Sequence, residues 1–275
     1  MDLKINEESG FFTVKNPDPI WMGGKGGNLF SRILRYSRLD LKKSVGACCM
    51  RSLPTLDLRL WSREPARFAR ELRSAMHTVG FFQLRHGGGS VCADALRSAA
   101  SFFALESAEK AAIDYRRSPA FRGYMPLGVE NTAGQTDMRE QIEFAAEGAP
   151  AAAGAWPPYR RLIGPNQWPS AAPHLRPSLL ALTSHLSAVS AELCGAICAA
   201  LALPPAALAP LFTGEPHWQL KIARCVAAPP PAMGVGAHSD SGFLTLLLQD
   251  QVGGLQVDIY IYMILFLNLC DVCSH

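Results

Sequence analysis

From Leu53 onward the apolar positions fall into short, alternating blocks of helical and extended spacing. Leu53-Pro-Thr-Leu-Asp-Leu reads as a short strand. Phe68, Leu72, Ala75, Met76 and Val79 then recur at helical intervals, which predicts a helix from a cap at Ser62 to about Val79, closed by Gly80. Phe81-Phe-Gln-Leu is a second strand ending at the turn Gly87-Gly-Gly. Helices are expected over Cys92–Phe103 and from a cap at Ser107 through Ile113. Arg122 to Gly128 reads as a loop, Glu140-Gln-Ile-Glu-Phe as a strand, and the Ala/Gly/Pro-rich stretch from Gly148 to Pro158 as a surface loop. The longest helix runs over about Pro177 to Leu203. Leu182, Leu186, Val189, Leu193, Ile197 and Leu201 form its apolar stripe, and Pro204-Pro205 ends it. His185 is placed on its polar flank. Cys194 and Cys198, four apart on one face, could hold a metal, although two small apolar residues in a core is the preferred reading.

Beyond this helix the pattern turns extended. Trp218 to Arg224 reads as a strand, followed by a proline-rich turn from Ala227 to Pro231. The stretch Gly236-Ala-His-Ser-Asp-Ser-Gly-Phe-Leu-Thr-Leu-Leu-Leu-Gln-Asp250 then leads to Gly253-Gly254-Leu-Gln-Val. A mostly helical first half is thus followed by strand after strand.

Composition separates three zones. Five of the seven lysines lie before Val45, the middle is rich in Ala, Arg and Pro, and after Val257 the chain shifts to Ile, Tyr, Met, Leu and Asn. The first fifty residues show no sustained periodicity. Their Gly23-Gly-Lys-Gly-Gly-Asn lacks phosphate-loop spacing and reads as a flexible turn. A net charge of +3 gives no nucleic-acid footprint. The longest apolar run, Ile259 to Leu267, is too short to cross a bilayer, so no membrane partner is expected. Eight cysteines without a leader-like N-terminus suggest reduced thiols and a cytoplasmic protein.

The chemistry centres on His238-Ser-Asp240. In a strand, residues i and i+2 face the same way, so His238 and Asp240 would project together. One imidazole nitrogen and one carboxylate are two-thirds of the facial triad that suits non-haem Fe(II). The plainer alternative is a histidine in a turn beside a solvated aspartate.

The wider context favours the metal. Gly236 through Val257 closely resembles the iron-ligand segment of the Fe(II)/2-oxoglutarate dioxygenases of the isopenicillin N synthase-like family. Leu53 to Leu58 is similar to that family's first strand. Gly80-Phe-Phe-Gln-Leu-Arg-His-Gly and Phe102-Phe-Ala-Leu-Glu-Ser-Ala-Glu-Lys resemble two more of its landmarks. Arg122-Gly-Tyr, Glu140 to Phe144 and Asn166-Gln-Trp-Pro follow in the family's order. The resemblance spans about residues 52 to 257. It implies an α+β fold, a helical N-terminal region followed by a double-stranded β-helix, or jelly roll. It also implies Fe(II) held by His238 and Asp240, 2-oxoglutarate as co-substrate, and O2. Decarboxylation to succinate and CO2 would be coupled to oxidation of a small organic substrate.

The chain departs from that family at its end. The family's third ligand, a histidine, and its Arg-x-Ser grip on 2-oxoglutarate fall further on. Here no arginine follows Arg224, and the one later histidine is His275, a terminal residue whose immobilisation costs entropy. Cys225 stands where many members carry a tyrosine. The expected organisation is therefore an N-terminal arm (1–50), a dioxygenase N-terminal region (51–165), a partial jelly roll (166–257) and a non-family tail (258–275). In that tail, Ile259 to Leu269 would be an exposed β-prone edge. A catalytically inactive, truncated relative is the alternative function. Cys270-Asp-Val-Cys-Ser-His275, with Cys48 and Cys49 as distant partners, is a minor zinc alternative.

Overall fold

The structure, a computed structural model, describes residues 3–5, 10–15, 53–150, 158–212, 217–227, 232–238, 240, 243–257 and 265–269. The glycine-rich turn at 23–28, Cys48, Cys49, Cys270, Cys273 and His275 lie outside the described residues.

In chain order the strands and helices are β1 (Leu3–Ile5), β2 (Gly10–Lys15), β3 (Thr55–Asp57), α1 (Arg59–Arg63), α2 (Pro65–Thr78), β4 (Phe81–Arg85), α3 (Gly89–Phe103) and α4 (Ser107–Ala111). They continue with β5 (Gly123–Met125), β6 (Asn131–Thr132), β7 (Gln135–Thr136), β8 (Arg139–Ala145), α5 (Leu175–Ala200), β9 (Gln219–Cys225), β10 (Leu244–Gln249), β11 (Leu255–Val257) and β12 (Leu265–Leu269). Eight strands form one sheet in the order β3-β4-β12-β10-β2-β9-β8-β5. The first four pair in parallel and the remaining junctions are antiparallel.

Period-two alternation divides the sheet into two faces. Ile142 and Phe144 of β8, Leu220 and Ile222 of β9, and Leu244, Leu246 and Leu248 of β10 join one large apolar cluster with α2, α3 and α5. Cys225 of β9, Leu247 of β10, Val235, Val79 and Phe81 form a smaller cluster. The stripe expected on the long helix is buried, with Leu182, Leu186 and Leu193 fully enclosed. At 26 residues α5 is long and apolar enough, by length and composition, to cross a membrane, a feature the longest-run criterion missed. In this fold its stripe packs into the main cluster. Leu186→Ala should therefore cost about 2–5 kcal/mol in urea unfolding. Leu180→Ala, on the exposed side of the same helix at 39% exposure, should change stability by under about 0.5 kcal/mol.

Several boundaries differ from the sequence reading, each for a local reason. Ser62 lies inside α1, its hydroxyl donating to the Arg59 carbonyl, and Pro65 opens α2 at the position where a missing N–H costs nothing. Arg122-Gly-Tyr, read as a loop, contributes β5 because Gly123 and Tyr124 pair with Glu143 and Ile142. Gly123 takes φ +122°, and a Cβ there would overlap the Ile113 carbonyl oxygen. The expected edge at Ile259 to Leu269 is also overturned for Leu265–Leu269, while 259–264 lie outside the described residues. β12 sits inside the sheet between β4 and β10, and β2, from the arm that lacked periodicity, sits between β9 and β10. Gly-Phe-Phe-Thr-Val-Lys and Leu-Phe-Leu-Asn-Leu are β-prone, and strand edges recruit such segments.

Asp114 fixes the chain as it approaches β5. Its carboxylate accepts from the Arg116 backbone N–H at 2.8 Å and from the Arg116 guanidinium at 2.7 and 2.9 Å. The Arg116 hydrogen bond is the main reason its pKa drops from the ordinary 3.8 to about 2. A carboxyl with a lowered folded-state pKa stabilises above its unfolded value and loses that contribution as pH falls through its folded one. Asp114→Asn should flatten the decline in urea midpoint between about pH 4 and pH 2. The effect is small, because the Arg116 side chain is 72% exposed and screened by solvent.

Candidate metal centre

His238 and Asp240 lie in the irregular segment before β10, not within a strand. The shared strand face expected for them is therefore not what brings them together. The convergence is real nonetheless: His238 Nε2 stands 3.4 Å from Asp240 Oδ1. A turn does the work of the strand. His238 Nδ1 lies 2.9 Å from the Gly236 carbonyl oxygen. A carbonyl only accepts, so in the neutral ring Nδ1 carries the proton and Nε2 keeps its lone pair. Metal-bound histidines are held in this way, the far nitrogen donating to a carbonyl or carboxylate.

The pair fits a divalent cation. Nitrogen and oxygen donors sit about 2.0–2.2 Å from such an ion, so two donors 3.4 Å apart are within reach of one centre. The Asp240 side chain is 5% exposed and the His238 ring 34%, a buried charge beside a ring that solvent or a ligand can approach. Among the described residues no third His, Cys, Asp or Glu completes a cluster with them.

The other candidates fare differently. Cys198 is buried in the core and Cys194 packs against it. Burial pushes the Cys194 thiol up to about 12, so it stays protonated and is a poor ligand. His185 is half-buried, with Nε2 2.6 Å from His86 Nδ1, so one ring donates to the other across the gap between α5 and the end of β4. Cys225 is fully buried beside Val235 and Leu247.

Sequence reasoning passed over two polar groups. In the first, Glu140 of β8 accepts from Lys110 Nζ at 2.9 Å and from the Tyr124 hydroxyl at 2.5 Å, and pairs with Arg224, its cross-strand partner. Burial, then the Glu140 bond, pushes the Tyr124 phenol upward in pKa. In the second, Asp137 receives the Gly236 N–H at 3.0 Å, the Thr132 hydroxyl at 2.9 Å and the Arg139 guanidinium at 3.0 Å. No spacing rule flags Asp137, because its partner Gly236 is 99 residues away.

Two family profiles match the chain in tandem. The profile described as non-haem dioxygenase in morphine synthesis N-terminal covers residues 53–171, and that of the 2OG-Fe(II) oxygenase superfamily covers residues 216–263 and so includes the pair. The chain belongs to the 2OG-Fe(II) oxygenases. Members of this family use Fe(II) and 2-oxoglutarate. A 2-oxoglutarate-dependent dioxygenase, frbJ, of Dothideomycetidae sp. (strain 11243) is 33% identical over 216 residues, 75% of this chain and 58% of its own. A validamycin A dioxygenase of Streptomyces hygroscopicus subsp. limoneus is 30% identical over 224 residues, 75% of this chain and 60% of its own. The chain spans 58% and 60% of the lengths of these two relatives. A crystal structure assigned to the 2OG-Fe(II) oxygenase family from Caulobacter crescentus shares the fold with TM-score 0.50 and 18% identity, over 68% of this chain and 84% of that one.

Proposed function

We infer that this chain carries the ligand-bearing part of an Fe(II)- and 2-oxoglutarate-dependent oxygenase, isopenicillin N synthase-like, that oxidises a small organic molecule with O2. The observation that carries this reading is the 3.4 Å approach of His238 Nε2 to Asp240 Oδ1, with His238 Nδ1 tied to Gly236. His238 would offer its Nε2 lone pair, and its one ring proton stays on Nδ1. Asp240 would offer a carboxylate oxygen and a compensating negative charge. Bound here, Fe(II) would supply O2 activation coupled to decarboxylation of 2-oxoglutarate.

In this proposal residues 1–50 are an arm and 51–165 the dioxygenase N-terminal region. Residues 166–257 are a partial double-stranded β-helix that carries the site, and 258–275 are a tail that leaves the family pattern after residue 263, where the profile match ends. All the α-helices among the described residues precede β9, and only strands follow it, which supports that division. A cytoplasmic, reducing setting is part of the same proposal, supported by Cys194 and Cys198 being free thiols.

The test is succinate release from 2-oxoglutarate by the purified chain, with validamycin A, named for one relative, as the first substrate screened. Succinate should form with Fe(II), stop on chelation, and return on Fe(II) addition. Succinate release unaffected by the chelator, or none above a protein-free blank, would count against this reading.

A further inference from the structure

We propose that Asp137 is a positioning residue that sets the tautomer and orientation of His238 through the backbone of Gly236. Asp137 lies just after the β6–β7 hairpin and is 1% exposed. Its Oδ1 accepts the Gly236 N–H at 3.0 Å. Its Oδ2 accepts the Thr132 hydroxyl at 2.9 Å and pairs with Arg139 at 3.0 Å. On the other side of the same residue, the Gly236 carbonyl accepts the His238 Nδ1–H at 2.9 Å. One buried carboxylate thus anchors, through its N–H, the residue whose carbonyl oxygen decides which ring nitrogen holds the proton.

Two further contacts make this anchorage specific. The Met138 N–H donates to the Met233 carbonyl at 2.8 Å, so the segment carrying Asp137 and the segment carrying Gly236 run side by side. Gly236 also fits tightly: a Cβ there would stand 2.8 Å from Thr132 Cβ and 2.9 Å from Thr132 Cγ2. The hairpin therefore holds Gly236 by a hydrogen bond on one side and by close contact on the other. Without the anchor, the three residues from Gly236 to His238 would be held by no strand ladder, and either imidazole nitrogen could carry the proton.

That Nε2 serves a metal rests on the function proposed above; the tautomer claim does not, and can be measured without metal. The full-length, metal-free chain is labelled with 15N-histidine and examined by long-range proton–nitrogen correlation at alkaline pH, with His238 assigned by its disappearance in His238→Ala. Wild type should show His238 as the Nδ1–H tautomer alone, and Asp137→Ala should show a mixture. Because Asp137→Ala also strips Arg139 of a partner, Gly236→Ala provides a second route that leaves the carboxylate in place. It should give the same mixture. In parallel, Co(II) affinity should fall by about 10–100-fold in Asp137→Ala, the loss typical of a residue behind a metal ligand. A single unchanged His238 tautomer in folded Asp137→Ala or in Gly236→Ala would overturn the proposal. Co(II) binding that ignores His238→Ala would overturn the metal reading alone, leaving the tautomer result to stand by itself.

Discussion

His238→Ala should abolish Fe(II)-dependent turnover of 2-oxoglutarate while leaving the fold intact. The imidazole supplies one of two donors that the described residues bring within 3.4 Å of each other, and no neighbouring group among them can take its place. The loss should exceed the roughly 10–100-fold that follows removal of a residue behind a ligand, because here a ligand itself is lost. The ring is one-third exposed and hydrogen-bonded to the Gly236 carbonyl, so its removal should cost about 0.5–1.5 kcal/mol of stability, the worth of one such bond. Asp240→Ala should match it in activity. Its side chain is almost fully enclosed, and Asp240→Asn, which keeps the shape and removes the charge, should fail for the same electrostatic reason. Succinate release, with urea unfolding alongside, separates the two effects. Retained turnover in either variant would remove the pair from the chemistry.

The largest effect on stability is expected at Glu140. Its side chain is 4% exposed and that of Lys110 7%. Glu140→Ala would leave the Lys110 ammonium buried with only the Phe103 carbonyl, at 3.2 Å, among its recorded acceptors. It would also remove the acceptor of Tyr124 and the partner of Arg224. Breaking a buried pair from one side costs about 3–5 kcal/mol. The double variant Lys110→Met/Glu140→Leu should recover much of that loss, because an apolar pair of similar volume avoids the stranded charge. Arg59→Ala is the natural contrast. Its ion pair with Asp57 has a side chain 65% exposed and should be worth under about 1 kcal/mol. Urea unfolding at neutral pH decides. A Glu140→Ala cost below about 1 kcal/mol would mean that water reaches Lys110.

What the sequence revealed depended on whether the signal was local. The α5 stripe was legible because three- and four-residue spacings of leucine, valine and isoleucine have one interpretation at that length. The His238–Asp240 pair was legible from its motif, although the reason for its convergence was not. A turn closed by His238 and Gly236 achieves what strand alternation was expected to do. β8 was found as a strand, yet its polar residues gave no hint that all seven positions are buried. Alternation reports one wet face, and this strand has none. The placing of β2 and β12 was not legible, since propensity marks a segment as extended without saying which edge it will join. Asp137 and the His86–His185 pair were missed for a related reason, each linking residues 99 apart in the chain.

The proposed chemistry depends on His238 and Asp240 holding a metal. The most direct measurement is anaerobic equilibrium dialysis of Fe(II), with 2-oxoglutarate present, against the wild-type chain and the His238→Ala and Asp240→Ala variants. One Fe(II) per wild-type chain is expected, with at least about tenfold weaker retention in each variant. Equal retention by all three proteins, or none by the wild type, would contradict that chemistry.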